Sequence, residues 1–143
     1  MSIIKQLKIF FKDSNYNFVI IFGSYSNNSY TESSDIDIGV FFRDKIDYMA
    51  LGYQTAMLES KLKKKVDIIV LNNIYKKDPL FAFEILQNHK PIIINNEDSF
   101  ISFKTSSQLY YLDYKPLIDM NKRALLNRIK NNQIGERSFV GES

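Results

Sequence analysis

Gly23-Ser24 is followed, after ten intervening residues, by Asp35-Ile36-Asp37. Two carboxylates separated by one residue on an extended chain share a face. Held together they repel, unless something positive sits between them. Hard oxygen ligands of this kind suit Mg²⁺, which takes one or two carboxylates together with substrate phosphates. Gly23 permits close backbone approach, and a helix starting at Ser24 turns free N–H groups and a hydroxyl toward a phosphate. A third acid, Asp67, stands second in the apolar run Val66–Leu71. An acid in a buried strand is costly unless paired or liganded. If that strand lies beside the one carrying Asp35 and Asp37, the three acids can hold two metal ions, the arrangement used for in-line displacement at phosphorus. Simpler roles exist for each piece. Asp-x-Asp can cap a turn, and Asp67 can cap the end of the preceding helix.

The elements that must position these residues follow from hydrophobic spacing. Ile3, Ile4, Leu7, Phe10 and Phe11 predict an amphipathic helix over 2–12. Phe18–Phe22 reads as a buried strand that stops at Gly23. Residues 23–34 are polar and form a turn with room for a short helix, and a second strand spans Asp35–Phe42. A second helix is expected over 46–62 and a third strand over Val66–Leu71. Pro79 opens a third helix to Gln87, as proline suits the first helical turn. Pro91–Ile94 makes a fourth strand, and a last helix runs from Asp98 to Lys130, with Pro116 expected to kink or break it. The connection between the first two strands allows parallel or antiparallel pairing. The fold class is therefore α/β of the α+β type, a mixed sheet with packed helices. The Gly-rich dinucleotide fingerprint and the P-loop are both missing, which disfavours a doubly wound nucleotide fold.

Composition narrows the chemistry. The chain has 143 residues, enough for one domain, with 45% hydrophobic and 24% charged residues. There is no cysteine, so disulfides, thiolate metal sites and cysteine nucleophiles are excluded, and a single histidine excludes a multi-histidine metal site. No apolar stretch reaches membrane-spanning length, and the N-terminus lacks the features of a secretory signal, so a cytoplasmic location and no membrane partner are expected. The net charge of +3 is modest and scattered, and direct nucleic-acid binding is not expected.

Gly23-Ser24, ten residues and Asp35-Ile36-Asp37 together resemble the signature of the nucleotidyltransferase superfamily with a DNA-polymerase-β-like fold. Val66-Asp67-Ile68-Ile69 and Lys90-Pro91-Ile92-Ile93-Ile94 are similar to its minimal nucleotidyltransferase (MNT) branch, whose bacterial members are often antitoxins of HEPN–MNT toxin–antitoxin pairs. The resemblance covers residues 1–95 as the minimal nucleotidyltransferase domain, with 96–143 as a C-terminal helical extension of the same domain. It implies that Gly23 and Ser24 bind the nucleotide, and that Asp35, Asp37 and Asp67 are catalytic and bind Mg²⁺, two ions in all. It also implies that Asp67 can accept the proton of an attacking hydroxyl. The implied activity is transfer of AMP from ATP to a tyrosine of a HEPN ribonuclease toxin, in a hetero-oligomer with that toxin. The alternatives are a small-molecule nucleotidyltransferase of the aminoglycoside-modifying kind and an antitoxin that acts by binding alone. One departure stands out: many relatives carry arginines and a glycine soon after Gly-Ser, where this chain has Tyr25, Asn27 and Asn28. Clamping of the triphosphate then falls to lysines elsewhere or to the backbone.

Other features have plainer readings. Lys61, Lys63, Lys64 and Lys65 are expected to end the second helix, where cations suit the helix dipole. His89 is expected between a helix end and a strand, in a C-terminal or surface hydrogen bond. Phe100, Phe103, Ser107, Tyr110, Tyr111, Tyr114, Leu117 and Ile118 form a stripe that packs on the sheet or meets a partner. Residues 135–143 are expected to form a mobile tail.

Overall fold

The computed structural model describes the backbone of residues 2–139 and the side chains through Lys130. In chain order the elements are α1 (Ile3–Phe10), β1 (Phe18–Phe22), a one-turn 3-10 helix (Gly23–Tyr25), β2 (Ile36–Phe41), α2 (Tyr48–Leu62) and β3 (Val66–Val70), then α3 (Ile74–Lys77), α4 (Pro79–Gln87), β4 (His89–Ile94) and α5 (Glu97–Phe139). Side-chain caps set several boundaries. The Ser2 hydroxyl accepts from Lys5 N–H, Asp47 from Ala50 N–H, and Asp78 from Phe81 N–H just before Pro79. At the end of α2, Lys63 adopts a left-handed conformation and its N–H reaches Glu59 O, so the lysine cluster does terminate this helix.

The four strands form one sheet in the order β3-β2-β1-β4. β1 pairs antiparallel with both β2 and β4, whereas β2 and β3 run parallel. The sheet is mixed, as the sequence leads one to expect, and the first connection is settled as antiparallel. Strand alternation divides the core in two. Val19, Ile21, Ile36, Ile38, Val40 and Val66 pack with Leu7 of α1, Phe11 at its C-terminal cap, and Leu51, Leu58 and Leu62 of α2. On the other face Phe18, Ile20, Phe22 and Leu71 pack with Ile74, Ala82, Ile85, Phe100 and Phe103 of α3, α4 and α5. Both faces of β1 are covered, and all five of its residues are buried.

Three expectations change. α3 is an additional short helix with Asn73, itself at positive φ, as its N-cap. β4 begins at His89, so this histidine lies within a strand rather than before it. α5 continues unbroken through Pro116 to Phe139. Pro116 and the residue four before it, Leu112, are both exposed, so water can satisfy the carbonyl that proline leaves without its helical bond. Of the aromatic stripe, Phe100, Phe103 and Ser107 are buried, and the Tyr111 ring stacks on Phe83 at 3.8 Å, while Tyr110, Tyr114 and Leu117 stay exposed. Of the expected tail, residues 135–139 carry the last turn of α5 and 140–143 lie outside the described residues. Among the described residues no helix is long and apolar enough to cross a membrane.

Candidate active site

The acids meet because of register. Phe22 pairs with Asp37 across β1 and β2, and Asp37 pairs with Asp67 across β2 and β3. Paired residues point to the same face, and neighbouring strands lie about 4.8 Å apart. Asp35 precedes Asp37 by two residues and therefore shares that face. The three carboxylates stand at the end of the sheet where β1 finishes and β2 and β3 begin. Asp37 is half-buried, whereas Asp35 and Asp67 are exposed. The exposure of Asp67 departs from the buried strand read from Val66–Leu71. β3 is an edge strand, so its first acid reaches solvent and needs no partner to be tolerated.

Electrostatics tie the group together. The Asp37 carboxyl is held above the usual carboxylate range, first by burial, then by the charges of Asp67 and Asp35. Each of these causes raises it. Among the described residues no three ligating side chains are drawn together tightly enough to enclose a cation by themselves. Carboxylates close enough to interact are hard oxygen donors of the kind that could hold Mg²⁺. That ion keeps several waters and completes its shell with substrate phosphates.

Gly23 lies against the Asp37 carboxylate. Its φ is +75°, and a Cβ built on it would sit 2.6 Å from Asp37 Oδ2. Both the backbone twist and the space therefore call for glycine. After it the chain turns through one 3-10 turn, closed by Ser26 N–H to Gly23 O at 3.0 Å. The buried Ser26 hydroxyl lies 2.7 Å from Gly23 O and 2.8 Å from Asn88 O, fastening the turn to the residue before β4. Ser24 is half-buried, and its hydroxyl has no hydrogen-bond partner among the described residues. Tyr25 is buried and stacks with Tyr30 at 4.4 Å, and Asn28 takes a positive φ. The loop thus carries an aromatic pair and a left-handed asparagine. Lys64 Nζ donates to Glu32 O at 2.6 Å and pins the far side of the loop.

His89 falls in the same row, paired with Phe22. Its Nδ1 lies 3.0 Å from Leu86 O at the end of α4, and its ring meets Phe100 edge-on. These contacts give it a packing role at a helix terminus. A cleft of 320 Å³ lined by Tyr16, Phe42, Arg43, Asp44, Asp47 and Gln54, among others, does not include Asp35, Asp37 or Asp67.

The polymerase beta nucleotidyltransferase family matches residues 5–98, a span that holds the Gly-Ser turn and all three acids. The chain belongs to this family. Among its relatives is the Methanocaldococcus jannaschii protein MJ1547, provisionally named a protein adenylyltransferase. It is 32% identical over 114 residues, covering 79% of each chain. Solved structures more distant in sequence share the fold. A toxin–antitoxin crystal structure with AMP-PNP superposes with a TM-score of 0.67 at 18% identity, over 90% of this chain and 99% of that one. An MNT antitoxin in complex with the tri-AMPylated HEPN toxin of Shewanella oneidensis superposes with a TM-score of 0.60 at 16% identity, over 90% and 99%.

Proposed function

We propose that this nucleotidyltransferase transfers AMP from ATP to a hydroxyl, most simply a tyrosine hydroxyl, of a HEPN toxin, and neutralises the toxin by doing so. The observation that carries the reading is the convergence of Asp35, Asp37 and Asp67 on one face beneath Gly23. The choice of AMP and of a protein acceptor rests on the adenylyltransferase naming of the relative and on analogy with the AMPylated toxin complex. The minimal domain is assigned to residues 1–95, and 96–143 to its helical extension.

In this reading Gly23 and Ser24 bind the polyphosphate. Gly23 lets the backbone come close, and Ser24 offers its free hydroxyl together with the N–H groups of the tight turn. Asp35, Asp37 and Asp67 are the residues that would hold Mg²⁺, which would supply the positive charge that both the carboxylates and the phosphates lack. Asp67, exposed at the sheet edge, takes the proton from the incoming hydroxyl. That oxygen bonds to the α-phosphorus as the bond to the departing pyrophosphate breaks, and ordered placement of the two reactants accounts for much of the rate.

Co-expression separates catalysis from protection by binding. Cells carrying the toxin of the adjacent gene are expected to grow with the unsubstituted protein and to stop growing with Asp35→Asn/Asp37→Asn. Full protection by the double variant, at equal protein level, contradicts the enzymatic reading.

A further inference from the structure

Lys65, two residues before Asp67, stands outside the Gly-Ser and Asp-x-Asp pattern. Ile36 N–H donates to Lys65 O at 2.9 Å, the first rung of the parallel ladder that pairs Ile36 with Val66. Lys65 and Asp35 are the residues just before β3 and β2, one step back from that pair. Strand alternation puts Lys65 on the face of Asp67, two residues on. Lys65 is exposed and makes no ion pair among the described residues. The neighbouring lysines are placed differently. Lys61 belongs to α2, Lys63 forms its left-handed end, and Lys64 binds Glu32 O.

The two sides of the site differ. Gly23-Ser24 follows β1 on one side of β2, whereas Asp67 and Lys65 belong to β3 on the other. In-line displacement needs the attacking and leaving oxygens on opposite sides of the phosphorus. With the polyphosphate on the Gly-Ser side, the hydroxyl enters over β3.

We propose that Lys65 is a catalytic residue on the acceptor side, whose ammonium donates to the attacking hydroxyl oxygen. This rests on the adenylyltransferase reading above. The bond from that oxygen to the α-phosphorus forms, the bond from phosphorus to the leaving pyrophosphate breaks, and the hydroxyl proton passes to the Asp67 carboxylate. Lys65 keeps its own protons throughout and offsets negative charge on the oxygen as its proton leaves. A phenolic oxygen carries more such charge than an alcohol, so Lys65 favours tyrosine as the acceptor.

The test compares the full chain with Lys65→Met and Lys65→Arg, using the adjacent-gene product as acceptor and AMP-PNP with Mg²⁺ as the binding probe. Lys65→Met is expected to lower kcat/KM for the acceptor by about 100-fold, the size of losing one preorganised donor. AMP-PNP affinity by calorimetry and KM for ATP are expected to stay within about twofold, since the lysine does not touch the polyphosphate. Lys65→Arg keeps the charge and is expected to recover most of the loss. An acceptor carrying fluorotyrosine, whose hydroxyl is more acidic, is expected to shrink the Lys65→Met defect. Acceptor kcat/KM for Lys65→Met within threefold of the unsubstituted protein overturns the inference. So does a defect that appears in AMP-PNP affinity, or one that is the same for tyrosine and fluorotyrosine. No transfer by the unsubstituted protein overturns the adenylyltransferase reading itself, and this inference with it.

Discussion

Replacing Gly23 by alanine separates the cost to the fold from the cost to the chemistry. Gly23 has φ +75°, and an L-residue held there loses about 1–2 kcal/mol relative to glycine. The shift in Tm is a few degrees for a chain of this length. The second effect falls on the site. The new methyl would lie 2.6 Å from Asp37 Oδ2, well inside contact. Asp37 Oδ2 ends a rotatable side chain, so the carboxylate yields more readily than the backbone of the paired strands. A displacement of about 1 Å in a catalytic group costs roughly 100-fold in rate, or about 2.7 kcal/mol of barrier. Urea melts and initial rates of AMP transfer at saturating ATP, measured on the same preparations, give the two numbers. Transfer is expected to fall by about 100-fold while the protein stays folded. In an Asp37→Ala background the same methyl meets no carboxylate, so the stability cost of alanine is expected to shrink toward the backbone value alone. A Gly23→Ala protein that is less stable but transfers AMP within threefold of the unsubstituted rate refutes the close-approach reasoning.

Three further substitutions probe separate parts of the structure. Asp37→Asn is expected to cut transfer by about 1,000-fold or more, as loss of a metal-holding carboxylate does, and yet to stabilise the metal-free protein at neutral pH. The folded-state pKa of Asp37 is raised, so the charged form works against folding. Without metal, Asp37 favours the fold below its unfolded pKa, and that contribution fades as pH rises through the folded one. Denaturation of both proteins across pH 3–8 in EDTA checks the sign. Ser26→Ala removes the hydroxyl between Gly23 O and Asn88 O, and is expected to cost about 1–2 kcal/mol and to raise KM for ATP several-fold, read from steady-state kinetics. Tyr16→Phe breaks the bond to Gln54 at the other end of the sheet, and is expected to cost about 1 kcal/mol in a urea melt with transfer unchanged.

Much of this site is legible in the residues because chemistry and local geometry coincide in them. Gly23 marks a positive φ, Asp35 and Asp37 share a face by strand alternation, and Phe18–Phe22 is apolar throughout because both its faces are covered. What spacing leaves open is strand order. Nothing local to 23–34 distinguishes an antiparallel return from a parallel one, and only the ladder β3-β2-β1-β4 brings Asp67 beside Asp37. The same order explains why Asp67 is exposed, since a run as apolar as Val66–Leu71 resembles a central strand although it lies at the edge. The α3 helix has only four residues, too few for a periodic signal, though Asn73 before it is a common left-handed residue. Lys65 is hidden in a cluster that suits a helix end, and its separate position appears only once the pairing of Ile36 is known.

The central claim is covalent transfer of AMP to a partner protein, and intact-mass spectrometry tests it directly. The purified chain is incubated with ATP, Mg²⁺ and the product of the adjacent gene, beside an Asp35→Asn/Asp37→Asn control. The account predicts that the partner gains whole AMP units with the unsubstituted chain and none with the control. A partner that binds the chain but keeps its mass, with ATP or any other nucleotide, contradicts it.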